Sequence, residues 1–285
     1  MEFAVIGAGA VGMLMACLLK DAGADVKVVA HSKEQADLIN EQGIKKDRAF
    51  YMVEAQTGLE GIPEDAILLL AVKYDALEEL LAALNVHCSK NPIVFLQNGM
   101  MHLDYLKGMP QPNIAAGSVE HGVLKTGANE IRHTGDGVVK FALLRGEERF
   151  FLPLLQLRAL KSEWHDDADR MLFRKVLLNS IINPLTALMG IKNGELLVNP
   201  SAYELLKDLY TELYRAFPEI EDLLPFEEVT ALCASTAENT SSMLSDRLEG
   251  RKMELDTIVL YTLQRAPAEL PLLKAFYHIL KSAEV

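Results

Sequence analysis

The sequence predicts an α/β protein in two parts, a doubly wound parallel-sheet domain over residues 1–166 followed by an all-α domain over 167–285. Three observations point there. Short apolar runs alternate with helical periodicity up to residue 98, and residues 113–150 are rich in glycine and in apolar–polar alternation. After "EWHDDADR" (163–170) nearly everything repeats at helical spacing. The length of 285 residues also suits two cores better than one.

"EFAVI" (2–6) is a β-prone run, and "GAGAVG" (7–12) leads from it into the helical pattern "MLMACLLKDAG" ending at Gly23. "DVKVVA" (25–30) follows at once, which completes the strand, glycine turn, helix and strand of a parallel βαβ unit. "AILLLAVK" (66–73) and "PIVFLQN" (92–98) read as further strands with the helical "DALEELLAAL" (75–84) between them. The 113–150 stretch reads as antiparallel strands joined by tight turns. Helices are expected over 171–188, 202–216, 227–247, 253–265 and 270–282, with "PEIEDLLPFEE" (218–228) as a connecting loop.

Composition narrows the function. With 50% hydrophobic and 24% charged residues the chain is neither disordered nor fibrous. A net charge of −12 without any cluster of Lys and Arg argues against nucleic acid as a partner. Cys17, Cys88 and Cys233 are odd in number and far apart, so neither a disulfide framework nor a metal cluster is expected, and idle thiols in a reducing compartment fit. The glycine-broken N-terminus does not resemble a signal peptide, and no apolar run approaches the ~20 residues of a membrane span. A cytoplasmic location without membrane contact is the expectation.

Gly7, Gly9 and Gly12 form G-x-G-x-x-G between a predicted strand and a predicted helix. In that context the loop Gly7-Ala8-Gly9-Ala10-Val11-Gly12 lets backbone approach a pyrophosphate, and the helix N-terminus offers N–H groups and a positive dipole end. A Rossmann-type dinucleotide-binding domain follows. The second strand runs into Ala30-His31-Ser32-Lys33 with no acidic residue to accept ribose hydroxyls. His31, Ser32 and Lys33 can donate to a 2′-phosphate, which favours NADPH, although Lys33 equally suits the solvated start of a helix.

Several polar residues do not match their surroundings. Lys73 and Asn98 end predicted strands at the carboxyl edge of the sheet, where open α/β folds bind ligands; an ordinary strand-end charge is the alternative for Lys73. In "FRKVLLNSIINPLTAL" (173–188), Lys175, Asn179 and Asn183 recur every four residues and share one stripe of a Leu- and Ile-rich helix. Three polar groups on such a helix imply a shared polar partner, because burying them unpaired is costly. Pro184 removes one backbone donor and can kink the helix. Ser242 and Glu254 flank a helix break at Gly250, yet Thr240 or Ser241 is equally a helix cap, so spacing alone leaves that segment undecided.

These pieces together resemble the ketopantoate reductase (2-dehydropantoate 2-reductase) family. The matching residues are "GAGAVG" (7–12), "AVK" (71–73), "LQNG" (96–99), "HTGDG" (133–137), "RKVLLNSIINPLTAL" (174–188), "NGELL" (193–197) and "SSMLSDRLEGRKMELD" (241–256), in order along the chain. The resemblance implies a Rossmann domain, a helical domain, an active site in the cleft between them, and NADPH-dependent reduction of a 2-keto acid to (R)-pantoate on the route to pantothenate and coenzyme A. It further implies that Lys175 donates the proton, that Asn98, Asn179, Asn183 and Asn193 hold substrate oxygens, and that Ser242 meets the carboxylate. Glu254 would orient cofactor and lysine, while Lys73, Asn98 and the Gly122 backbone contact the cofactor. No metal is implied, and a homodimer is left open.

Phe173 stands where the family commonly has Trp, and the connection before the last helix is short. Two rival readings stay in view: a reductase of another small 2-keto acid on the same fold, and a non-catalytic NADP(H) sensor, against which Lys175 and Glu254 speak.

Overall fold

The computed structural model describes residues 2–284. Two compact units divide the chain: one holds the residues up to Gln97 with His102–Met171, the other holds Asn98–Met101 with the residues from Leu172 onward.

The first unit contains β1 (Glu2–Ile6), α1 (Ala10–Asp21), β2 (Asp25–Val29), α2 (Lys33–Gln42), β3 (Ile44–Lys46), β4 (Ala49–Tyr51), β5 (Glu54–Gln56), β6 (Ile67–Leu70), α3 (Leu77–His87) and β7 (Ile93–Phe95). β8 (Ile114–Val119), β9 (Gly122–Lys125), β10 (Glu130–Gly135), β11 (Val139–Arg145), α4 (Leu152–Gln156) and β12 (Ser162–His165) complete it. Eight strands form one sheet in the order β12-β11-β8-β7-β6-β1-β2-β5, parallel except where β11 runs against β8. Side chains alternate across β1: Phe3 and Val5 join one buried cluster with α1, whereas Ala4 and Ile6 join another with α3. Both faces are thus covered, as a parallel sheet requires.

A second sheet, β4-β3-β10-β9, was not legible in the sequence as a separate layer. The 113–150 strands are antiparallel in pairs as expected, but β8 and β11 belong to the large sheet and β9 and β10 to the small one. α1 packs against strands of both sheets, which explains why it is apolar nearly all round, with Met13, Leu14, Met15, Cys17 and Leu19 fully buried.

Register aligns the carboxyl ends of the central strands, with Ile6 opposite Val29 and Leu70, and Leu70 opposite Phe95. The glycine loop, the His31–Lys33 segment and the Ala71–Lys73 segment therefore leave the sheet at one edge. The strand expected over 66–73 stops at Leu70; past it the Gln97 side-chain amide, in place of a neighbouring strand, donates to the Val72 carbonyl (2.9 Å) as well as to that of Leu70 (2.9 Å).

α5 (Ala168–Met189) begins in the first unit and runs into the second, where α6 (Glu195–Val198), α7 (Pro200–Ala216), α8 (Ile220–Leu223), α9 (Phe226–Ser235), α10 (Ser242–Leu248), a π-helical turn (Asp256–Leu260), α11 (Tyr261–Arg265) and α12 (Pro271–Ser282) follow. α5 continues through Pro184, and the Thr186 hydroxyl bonds to the Ile182 (3.0 Å) and Asn183 (3.1 Å) carbonyls. The single helix expected over 227–247 is instead α9 and α10. Between them "TAENT" offers side chains that compete with helical backbone bonding, and Ser241 caps α10 by accepting from the Leu244 N–H (3.2 Å). α12 buries Leu273, Phe276 and Leu280 at helical spacing, and the Glu212 carboxylate of α7 accepts the N–H groups of Leu272 (2.7 Å) and Leu273 (3.0 Å) at its start. Among the described residues no helix is long and apolar enough to cross a membrane.

Candidate active site

The glycine loop has the geometry of a backbone cradle. Gly7 sits at φ +107°, and a Cβ there would lie 2.9 Å from Val72 Cγ1. A Cβ on Gly12 would lie 1.8 Å from the Gly7 carbonyl oxygen, so helix and loop can meet only without a side chain. Gly9 is the N-cap of α1 and supplies no side-chain acceptor, which leaves the first N–H groups of the helix for an anion. These features fit a dinucleotide pyrophosphate against Ala8, Ala10 and Val11.

Neighbours that the sequence did not single out shape the loop. Gln35 of α2 donates to the Ala8 carbonyl (2.9 Å) and the Ala128 carbonyl (2.6 Å), and the Lys125 ammonium donates to the same Ala8 carbonyl (3.2 Å). His31 and Lys33 are exposed. Ser32 caps α2, accepting from Gln35 N–H (3.2 Å), and its hydroxyl joins the backbone N–H of Glu34 in holding the Glu34 carboxyl below its ordinary pKa. Lys73 lies three residues past β6, exposed, at the start of a short 3-10 turn.

Gly122 opens β9, where a Cβ would come within 2.7 Å of Thr134 Oγ1. Beside it, His121 Nδ1 accepts the Gly137 N–H (3.2 Å) and lies 3.1 Å from His133 Nε2, which makes the latter nitrogen the donor of that pair. Burial and then the charge of His133 hold the His121 imidazole below its ordinary pKa. Asp136 completes a group whose ligand-type atoms lie within 4.8 Å of one another.

In the second unit α5 presents Lys175 and Asn179 half-buried and Asn183 buried, while Val176, Leu177, Ile181 and Ile182 pack into the core. Among the described residues neither the Asn179 nor the Asn183 amide has a hydrogen-bond partner in the protein. Asn193 is buried, and its amide nitrogen donates to Thr236 Oγ1 (2.9 Å), while its carbonyl oxygen has no partner among the described residues. A buried polar oxygen without a partner, like the two unpartnered amides of α5, is what a site for a polar ligand requires.

Ser242 stands at the first turn of α10 with its side chain exposed. Its neighbour Ser241 is fixed to α5 by a 2.7 Å bond to Thr186. Thus Ser241 is the cap, and Ser242 is available to a ligand.

Asn98 and Glu254, 156 residues apart, meet directly: the Asn98 amide donates to Glu254 Oε2 at 3.1 Å. Gly99 at φ +83° makes this possible, since a Cβ there would come within 2.1 Å of the Thr257 carbonyl oxygen. Phe173 is buried edge-on to Phe217 (5.1 Å), with the Arg265 guanidinium 3.9 Å from its ring centre. The three cysteines are free and buried; burial pushes the Cys17 thiol up to about 12 and the Cys233 thiol up to about 11, which leaves both inert.

A nucleotide-binding α/β unit joined to a helical unit that carries a lysine–amide stripe defines an oxidoreductase dependent on a nicotinamide dinucleotide. Residues 3–146 match the family description "Ketopantoate reductase PanE/ApbA", and residues 167–284 match its C-terminal counterpart. The chain belongs to the ketopantoate reductase family. It is 34% identical to the 2-dehydropantoate 2-reductase of Listeria innocua over 98% of this chain and 96% of that one. It is likewise 34% identical to the 2-dehydropantoate 2-reductase of Bacillus subtilis over 93% and 91%.

Among solved structures, one described as a probable 2-dehydropantoate 2-reductase from Bacillus subtilis superposes with a TM-score of 0.83 at 32% identity, covering 100% of both chains. A D-mandelate dehydrogenase in complex with NADH and anilino(oxo)acetate has a TM-score of 0.85 at 20% identity, covering 100% of this chain and 98% of that one, and shares the fold.

Proposed function

We propose that this protein reduces 2-dehydropantoate to (R)-pantoate with NADPH, in the cytoplasm, and so serves pantothenate and coenzyme A synthesis. The observation that carries this reading is the α5 stripe, an ammonium and two amides, with both amides lacking protein partners among the described residues. The full-length likeness to 2-dehydropantoate 2-reductases supports the choice of substrate.

In this reading the cofactor is held mostly by residues of the first unit, with Asn98 coming from the second. The loop Gly7–Gly12 takes the pyrophosphate, His31 and Lys33 take the 2′-phosphate together with the Ser32 hydroxyl, and Lys73, Asn98 and the Gly122 backbone line the nicotinamide half. When bound, the reduced nicotinamide supplies the hydride that adds to the keto carbon.

The second unit does the rest. Lys175 hydrogen-bonds the keto oxygen and gives it a proton as negative charge develops there. A fixed cation stabilises that alkoxide-like oxygen more than the neutral ketone, so the lysine lowers the barrier as well as binding substrate. Solvent restores the lysine proton. Asn179, Asn183 and Asn193 hold the substrate's hydroxyl and keto oxygens, and Ser242 meets its carboxylate. Glu254, held by Asn98, orients the lysine and the cofactor.

The test is consumption of NADPH and of NADH with 2-dehydropantoate and a panel of 2-keto acids, including an aryl one. Turnover highest with NADPH and 2-dehydropantoate is expected. A better substrate elsewhere in the panel would reassign the enzyme to another 2-keto acid, and an inert protein that still binds NADPH would make it a sensor. Light scattering on the same preparation separates a monomer from a homodimer.

A further inference from the structure

We infer that helix α12 and the residues just after it form a clamp that positions Glu254, acting through Tyr277 and Lys281 of the helix and Glu284 beyond it; this rests on the role given to Glu254 above. The Asp256 carboxylate accepts the Tyr277 hydroxyl at one oxygen (2.8 Å) and the Lys281 ammonium at the other (2.9 Å). Lys281 also meets Glu284 Oε2 at 3.0 Å, and Glu284 Oε1 accepts the backbone N–H of Met253 at 3.0 Å. The chain is therefore tied at 253 to Glu284, two residues past the end of α12, and at 256 to α12 itself, and Glu254 lies between the two ties. Its own carboxylate takes the Asn98 amide.

Local structure shows why a clamp is needed. The residues before Met253 have no regular secondary structure, and Asp256–Leu260 is a π-helical turn, a geometry less stable than the α-helix it leads into and frequent at functional sites. Glu254 thus sits on a segment with few regular backbone hydrogen bonds of its own. α12, by contrast, is anchored at its start by Glu212 and along its length by buried Leu273, Phe276 and Leu280, so it can hold the segment from outside. Burial alone pushes the Asp256 carboxyl up, yet the bonds from Lys281 and Tyr277 outweigh it and hold the group below its ordinary pKa. The bond to Asp256, aided by the one to Glu284, holds the Lys281 ammonium above its own. The Asp256–Lys281 pair is charged throughout the neutral range.

Tyr277, Lys281 and Glu284 are positioning residues, so their loss must be felt through Glu254. The experiment places Lys281→Met, and separately the milder Tyr277→Phe, in the full chain with and without Glu254→Gln, after thermal melts establish folding. kcat and KM for NADPH are then read with 2-dehydropantoate. In the native background Lys281→Met lowers kcat/KM about tenfold and Lys281→Arg restores most of it, while in the Glu254→Gln background the further loss is under about twofold. Equal losses in both backgrounds, or none in the native one, overturn the clamp. Amide hydrogen exchange over 253–257 gives an activity-independent reading: it quickens at least about fivefold in Lys281→Met, and an unchanged rate overturns the clamp. A wild type inert toward every keto acid, but with that quickening, overturns the proposed function and upholds the physical clamp.

Discussion

His102 makes the first unit acid-labile by a calculable amount. The side chain is 1% exposed and stacked on Phe95 with ring centres 5.1 Å apart, and its Nε2 has no hydrogen-bond partner among the described residues. Nothing among the described residues offsets the loss of water around a charged ring, and burial pushes the imidazole down from its ordinary 6.5 to about 4. Above pH 6.5 folded and unfolded chains both carry a neutral ring, and the folded state keeps its full stability. As pH falls from 6.5 toward 4 the unfolded chain takes up a proton that the folded chain refuses, and stability is lost. At about 1.4 kcal/mol per pH unit, that loss reaches about 3 kcal/mol by pH 4.

The assay is urea unfolding at pH 7 and pH 4, followed through Trp164, the single tryptophan of the sequence, which lies in the same unit and packs against Phe151. His102→Leu removes the titration while leaving every carboxylate in place. Its stability should fall less than that of the wild type between the two pH values, by about 3 kcal/mol. Identical falls in the two proteins would refute the reasoning.

The remaining predictions concern the site. Gly12→Ala forces its Cβ against the Gly7 carbonyl, 1.8 Å away, and should abolish measurable NADPH binding by fluorescence titration while costing about 1–3 kcal/mol of stability; native affinity would count against the cradle. Lys33→Ala should raise the Kd for NADPH about tenfold and leave NADH nearly unchanged, whereas equal effects would move the 2′-phosphate site elsewhere. Ser241→Ala should cost about 1–2 kcal/mol by removing the α10 cap and the Thr186 bond, while Ser242→Ala leaves the melting temperature alone and raises KM for the keto acid; the reverse pattern would exchange their roles.

Some of the fold and of the site was legible in the residues and some was not. Glycines at 7, 9 and 12 between a strand and a helix announce their turn because the steric demand is local, and the structure meets it within six residues. The stripe of Lys175, Asn179 and Asn183 was equally visible, since one helix determines which residues share a face. β3 and β4, three residues each, are too short to show a period of two, so the small sheet went unseen, as did the equally short β5 at the edge of the large sheet. The break of 227–247 into α9 and α10 hung on whether Thr240 or Ser241 would cap, a choice made by the tertiary bond from Thr186 to Ser241.

The meeting of Asn98 with Glu254, and the anchoring of Asp256 by Tyr277 and Lys281, join residues distant in sequence. No local pattern encodes them. Gly99 in "LQNG" was the available hint: a glycine at positive φ whose reason lies in the Thr257 carbonyl.

The central claim is that Lys175 delivers the proton in an NADPH-dependent ketone reduction. Single-turnover reduction of 2-dehydropantoate by wild type and Lys175→Ala, each preloaded with NADPH, tests it most directly. NADPH binding within about twofold of wild type and a chemical step slower by at least about 100-fold are expected of the variant. An unchanged chemical step in the variant would contradict it.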